Sequence, residues 1–256
     1  SGFGGATAVA LARSGYHIFG VHLDRQVTIP EVQKIIKKIE KTGHKAIFFN
    51  INAADPIKRN DTLDEIKERF AIKEHPFVHV LVHSLAFGTL KPYIASNPND
   101  TITQAQMAMT LDVMAHSLVY WTQGLIQRDL FAEGGRIFAL TSGGSHSVIP
   151  HYGAVSAAKA ALESHIRQLA YELGKMKITA NAIMAGVTDT PALRKIPSYQ
   201  KMLHMAKMKN PGDRLTTPED VAKAIVMLCD DKADWINGNV IGVDGGEYIV
   251  NCVDRK

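Results

Sequence analysis

The sequence predicts an α/β fold built on a doubly wound parallel sheet. Two observations predict it. Six short apolar runs alternate with longer helical patterns along the whole chain, as βαβ units with helices on both sheet faces require. The runs are also nearly continuous rather than alternating, as in Val78-His-Val-Leu-Val82, which suits strands buried on both sides. With 256 residues, 46% of them hydrophobic and 21% charged, the chain is long enough to bury a large core unaided and too apolar to be disordered.

The chain opens on Ser1-Gly-Phe-Gly-Gly-Ala6, which leads into a helix near Ala6–Arg13. A glycine-rich turn of this kind ordinarily follows the central strand of its sheet. The sequence therefore predicts a first strand upstream of Ser1, within about ten further residues. A strand over Tyr16–Leu23 comes next, then a helix over Pro30–Thr42 with proline in its first turn. Strand Lys45–Ile51, helix Asp55–Phe70 and strand Phe77–His83 continue the alternation. One long helix is expected over Thr101–Leu130, then strand Arg136–Thr141. Helix Val155–Leu173 stops at Gly174, a residue that suits a helix C-terminus. Strand Lys177–Ile183, helix Pro218–Cys229 and strand Asn239–Val243 complete the order. No repeat, low-complexity segment or linker interrupts it, so residues 1–256 read as one domain.

Several function classes drop out. The best apolar run, Ala224 to Cys229, is far short of the roughly 20 residues of a membrane span. The net charge of +4 is interleaved with acids rather than gathered into a stripe, so no nucleic-acid partner is expected. Two cysteines, Cys229 and Cys252, make no disulfide framework and read as reduced thiols. With no signal-peptide pattern at the start, the expected compartment is the cytoplasm. His75, His79 and His83 recur every four residues, but on a strand they lie about 13 Å apart, so no metal site is expected.

The candidate site starts at Gly2 and Gly4. Glycine lets backbone approach a pyrophosphate, and the following helix N-terminus offers it free N–H groups. The strand ending His22-Leu-Asp24-Arg25 would read the adenosine ribose. Asp24 favours the ribose hydroxyls of NAD, whereas Arg25 favours the 2′-phosphate of NADP. The reading leans to NADPH, because Arg25 can stack on adenine and reach a phosphate, with NADH left open.

Four further motifs follow in fixed order: His83-Ser-Leu-Ala-Phe87-Gly88, Leu140-Thr-Ser142-Gly143, Pro150-His-Tyr152-Gly-Ala-Val155-Ser-Ala-Ala-Lys159, and Asn181-Ala-Ile-Met-Ala-Gly186-Val-Thr188-Asp-Thr190. Val243-Asp-Gly-Gly246 closes the set. The ensemble resembles the short-chain dehydrogenase/reductase superfamily, with its Rossmann-like sheet, over essentially the whole chain. Within it the chain is similar to the enoyl-[acyl-carrier-protein] reductases. Ordinary members reduce carbonyls with a tyrosine four residues before the lysine. Four before Lys159 stands Val155, which has no proton to give, and the tyrosine lies seven before, at Tyr152. A Tyr171–Lys175 pair has the ordinary spacing but flanks the Gly174 stop, at the wrong end of the helix.

The resemblance implies reduction of the trans-2,3 double bond of an acyl-carrier-protein or CoA thioester with NADPH or NADH. It implies Tyr152, Lys159 and Ser142 as catalytic residues, with Lys159 on the nicotinamide ribose and its ammonium lowering the Tyr152 pKa. Ser142 orients the thioester or is idle. For the cofactor it implies Asn52 at adenine, Ser84 and Leu85 by backbone, and Thr188 and Thr190 at the carboxamide and pyrophosphate. It also implies a homotetramer and a substrate lid near residues 190–215. There, Arg194, Lys195, Lys201, Lys207, Lys209 and Arg214 would form a basic rim, with Met202, Met205 and Met208 lining an acyl chain. Two departures stand out. Ser142 occupies a place where many enoyl reductases have a second tyrosine, and Met114 replaces the usual active-site asparagine. A carbonyl (3-oxoacyl) or dienoyl-CoA reductase, and a catalytically silent dinucleotide-binding sensor or scaffold, remain the alternatives.

Overall fold

The computed structural model describes residues 2–70 and 78–251. Strands β1 (Ile18–His22), β2 (Ala46–Asn50), β3 (Val78–His83), β4 (Phe131–Thr141), β5 (Thr179–Ala185) and β6 (Val240–Val243) all pair in parallel. They form a β1-β2 ladder and a β3-β4-β5-β6 sheet. Among the described residues no strand joins β1 to β3. Their side chains share apolar clusters instead, Phe19 and Val21 with Leu81, and Ile18 with Val80 and Val82.

Among the described residues there are eight α-helices: α1 (Gly2–Arg13), α2 (Ile29–Glu40), α3 (Pro56–Phe70), α4 (Gln104–Leu111), α5 (Ser117–Gln127), α6 (Gly153–Leu173), α7 (Tyr199–Lys209) and α8 (Pro218–Leu228). Successive strand side chains point to opposite faces, and β4 shows the consequence. Ile137 and Ala139 join Leu118, Leu162 and Ile166 of α5 and α6. Phe138 and Leu140 join Leu11 of α1 and Val221 and Ile225 of α8. Both faces are thus packed, as the apolar strands require. Two helix starts carry reciprocal caps, Thr103 with Gln106 and Thr217 with Asp220. None of the helices among the described residues is long and apolar enough to cross a membrane.

Two elements differ from expectation. The long helix predicted over 101–130 is broken by a π turn at Asp112–His116, which separates α4 from α5. Hydroxyls bend it from within: Thr110 donates to the Gln106 carbonyl at 2.8 Å, Ser117 to Val113 at 2.9 Å and Thr122 to Leu118 at 2.9 Å. Strand β4 begins at Phe131 rather than Arg136. The residues Glu133-Gly-Gly135 look like a turn, yet Gly134 takes φ +75° within the strand. The ladder to β3 shifts register between Val78 and Val80 to absorb it. His75 lies outside the described residues. His79 stacks on Tyr16 at 6.1 Å, and His83 closes β3.

Candidate active site

The carboxyl ends of β3, β4 and β5 converge with the N-terminus of α1, and they bring several expected residues together. A β-carbon on Gly4 would lie 3.3 Å from both Cβ and Oγ of Ser84, and one on Gly2 would lie 3.8 Å from Thr190. Gly2 also has φ +60°. The first turn of α1 therefore depends on glycine to lie this close to the β3 and β5 ends. The result is a cradle of backbone N–H groups suited to a pyrophosphate. In the loop after β5, Thr188 is buried and donates to the Gly186 carbonyl at 3.0 Å. Thr190 Oγ1 accepts from Leu193 N–H at 3.2 Å.

The residues expected to read a ribose lie at the carboxyl ends of β1 and β2. Asp24 N–H donates to Asn50 Oδ1 at 2.9 Å, and Asn50 Nδ2 donates back to the Asp24 carbonyl at 3.0 Å. The Asp24 carboxylate sits 3.0 Å from His22 Nδ1. The backbone carbonyl of Arg25 accepts from Thr28 and Ile29. Asn52 is exposed, and its Oδ1 accepts from Ala54 N–H at 3.1 Å before α3 begins.

Tyr152 is the N-cap of α6, so its side chain stands at the helix entrance. Gly144 makes room for it: a β-carbon there would lie 2.8 Å from Tyr152 Cε1 and 3.2 Å from Ser142 Oγ. The buried Ser142 hydroxyl makes no well-formed hydrogen bond among the described residues. Its nearness pulls the Tyr152 pKa down, but burial outweighs it and raises the phenol above its ordinary value. This corrects the expectation that Lys159 lowers that pKa. Lys159 Nζ points instead to the Leu140 carbonyl, to which it donates at 2.6 Å. The lysine is 5% exposed. Burial lowers its pKa to about 8, against the opposing charge of Glu163 one turn along. Glu163 is held by Thr141, whose hydroxyl donates to it at 2.6 Å. Val155, at the ordinary tyrosine place, is buried in the core beside Gly88. Tyr171 is 83% exposed at the far end of α6, which removes the Tyr171–Lys175 pair from the site.

A glycine cradle on a parallel sheet is common to many dinucleotide folds. A buried lysine with its tyrosine seven residues ahead, and a valine where the proton donor usually stands, is not. The family model for enoyl-(acyl carrier protein) reductase matches residues 1–247. The chain belongs to the enoyl-(acyl carrier protein) reductase family.

Among its relatives, the NADH-named enoyl-[acyl-carrier-protein] reductase FabI of Aquifex aeolicus is 30% identical over 252 residues, which cover 97% of this chain and 89% of that protein. The crystal structure of FabI from Candidatus Liberibacter asiaticus superposes with a TM-score of 0.83 at 26% identity, covering 99% of this chain and 93% of that one. The Anaplasma phagocytophilum enoyl reductase structure, a complex with NAD, gives 0.80 at 25% identity, covering 97% and 88%. The short-chain fold, the family and its nicotinamide dinucleotide cofactor all agree with the sequence reading.

Some residues of this reductase's site were not foreseen. Tyr248 lays its ring against Gly143, and its hydroxyl lies 3.4 Å from the Ala185 carbonyl. Burial pushes its pKa up to about 12. Glu247 is buried and accepts from Val187 N–H at 3.0 Å. The Asp244-Gly-Gly motif is the signal that could have found them, because its two left-handed glycines turn the chain back over the β4 and β5 ends. Helix α7 is amphipathic, with Met202 and Met208 half-buried and Met205 exposed. Two of the six expected rim cations are already committed: Arg194 pairs with Asp189 and Arg214 with Asp220. Lys195, Lys201 and Lys207 are exposed.

Proposed function

We propose that this reductase saturates the trans-2,3 double bond of an enoyl thioester borne by acyl-carrier protein, with NADH as its preferred reductant. The observation that carries this is the Tyr152–Lys159 arrangement at the head of α6, with Val155 buried in the core. The Gly2–Gly4 cradle, Ser84, Thr188 and Thr190 fit a dinucleotide, which when bound supplies the hydride. The residues supply position and field. Negative charge builds on the thioester oxygen as the β-carbon is reduced, and the Tyr152 O–H donates a hydrogen bond to it. Burial favours the protonated phenol, so the donor persists through neutral pH. Lys159 holds the nicotinamide ribose. Ser142, beside the phenol, orients the thioester. It is also the one feature that favours a 3-oxoacyl reductase as a second reading.

The NADH preference departs from the lean of the sequence reading. The Aquifex relative is named for NADH. Asp24 is also fixed by Asn50 and His22, so its carboxylate is set to accept from ribose hydroxyls and to repel a 2′-phosphate. Asp24→Ala is expected to raise the NADPH-to-NADH ratio of kcat/KM about tenfold, or roughly 1.4 kcal/mol. Initial rates with the two cofactors measure it, and an unchanged ratio would return the choice to Arg25. We further place the enzyme in the cytoplasm as a homotetramer. In this reading residues 190–215 form the lid, and exposed Lys195, Lys201 and Lys207 attract an acidic carrier.

The function is tested with crotonyl-CoA and NADH deuterated at the transferable C4 position. Mass spectrometry should find butyryl-CoA carrying one deuterium at the β-carbon. Unchanged crotonyl-CoA in the presence of active-site-competent, NADH-binding protein would sink the proposal.

A further inference from the structure

The partner of the Asp24 carboxylate is itself titratable. His22 closes β1 and stands in register with Asn50 of β2. Two residues earlier, Gly20 lies opposite Phe48, where a β-carbon would come within 2.6 Å of Phe48 Cε1. Glycine inside the strand thus makes room for the Phe48 ring, and that ring meets the His22 imidazole at 6.0 Å between centroids. The Asp24 main chain is clamped in both directions by Asn50. Its carboxylate Oδ2 lies 3.0 Å from His22 Nδ1. A carboxylate has no proton to give, so Nδ1 carries the hydrogen and donates it. Nε2 of the neutral ring is then the nitrogen left to take a second proton. Both side chains are partly exposed, so water can deliver it.

The surrounding elements bring few other charges to this pair. Strand β2 carries none. Helices α1 and α2 pack on the sheet face that bears Ile18 and Phe48. The charge of α1 is Arg13, in its last turn and away from the carboxyl end of β1. In α2, Glu31 and Lys34 pair with each other in solvent at 2.6 Å, and Lys37, Lys38 and Glu40 follow in its later turns. Arg25, next in the chain, is a permanent cation. Asp24 is the acid that meets the imidazole. The two side chains together bear a single negative charge while the ring is neutral, and no net charge once Nε2 is protonated.

We propose that His22 is a specificity-determining residue, whose charge sets how strongly the Asp24 site rejects a 2′-phosphate. With a neutral ring, the Nδ1–H holds a fully charged carboxylate toward the ribose. That carboxylate accepts from the hydroxyls of NADH and repels the phosphate of NADPH. With a protonated ring, imidazolium and carboxylate form an ion pair. The repulsion falls while the hydrogen-bond acceptor stays in place. Discrimination against NADPH therefore weakens as pH falls, and NADH binding changes little. The inference rests on the reading of Asp24 as the ribose ligand.

Fluorescence titration with NADH and with NADPH, at about pH 8 and about pH 6, tests it, because histidine side chains gain their charge across this range. The ratio of the two Kd values, NADPH over NADH, cancels the Lys159 titration, which both cofactors feel alike. A phosphate monoester also titrates near about pH 6, but equally in every variant. The signal is thus the difference between wild type and His22→Asn, whose amide nitrogen stands near the place of Nδ1 as a donor that never ionises. On acidification the wild-type ratio should fall about fivefold further than the His22→Asn ratio, as expected for cancelling one like charge near the phosphate. At the alkaline end the two ratios should agree to within about threefold. His22→Leu has no donor. It should also lose the extra pH dependence, and it should bind NADH about fivefold more weakly than wild type.

An equal fall of the ratio in wild type and His22→Asn would overturn the proposal. Should His22→Asn fail to fold, a wild-type pH dependence in His22→Leu overturns it. Asp24→Ala separates these failures from that of the reading beneath them: a ratio that Asp24→Ala leaves unmoved would take Asp24 away from the ribose, and the inference with it. Wild type that binds neither cofactor would instead sink the reductase reading itself.

Discussion

Replacing Tyr152 with phenylalanine should lower kcat with an enoyl thioester by about 100- to 1000-fold, the loss expected when one oxyanion donor is removed from a preorganised site. The ring remains, so the packing against Gly144 is kept and the fold should survive. The NADH Kd should not change, because the ribose is held by Lys159 and not by the phenol. This separation distinguishes a transition-state donor from a binding group. A variant with near-normal kcat would mean that another group, with Ser142 or Tyr248 the nearest, stabilises the thioester oxygen.

Lys159→Met should do the reverse, with its main effect on cofactor binding. Hydrogen bonds from a charged donor contribute about 1.5–3 kcal/mol, so the NADH Kd should rise roughly ten- to hundredfold. The pH dependence carries the sharper test. With its pKa lowered to about 8, Lys159 is cationic below that pH and neutral above it, so wild-type binding fades as pH rises through 8. The Met variant should show no such inflection. Stability should move the other way. Between about 8 and the ordinary lysine value of 10.5, the unfolded chain holds a proton that the folded chain has released. The Lys159 contribution to stability therefore rises with pH across that window. Binding lost while the protein grows no less stable cannot be ascribed to unfolding.

The proposed catalytic pair was legible in the sequence because its geometry is local. Pro150, Tyr152 and Lys159 lie within two turns of one helix start, where spacing alone fixes which side chains share a face. The places of the strands along the chain were legible for a similar reason, since buried parallel strands such as Val78–Val82 are apolar throughout. What spacing does not encode is the partner across the fold. The Lys159 bond to Leu140 crosses from α6 to β4, and with it went the expected pull on Tyr152, which burial reverses. The Ser117–Val113 bond that opens the π turn looks like ordinary helix sequence in Asp112–His116. The ties of Arg194 to Asp189 and Arg214 to Asp220 took two cations out of the expected rim, because a charge count cannot say which charges are already spent on each other. Tyr248 and Glu247 reach the site only because the Asp244-Gly-Gly turn folds back over it.

The central claim is that this geometry reduces a carbon–carbon double bond and not a carbonyl. Absorbance at 340 nm decides it most directly, with NADH and wild-type protein, and with crotonyl-CoA and acetoacetyl-CoA in parallel. The buried Val155 and the Tyr152–Lys159 spacing predict that absorbance falls with crotonyl-CoA and holds steady with acetoacetyl-CoA. A steady signal with crotonyl-CoA and a fall with acetoacetyl-CoA would contradict the account and make Ser142 the better guide to the chemistry.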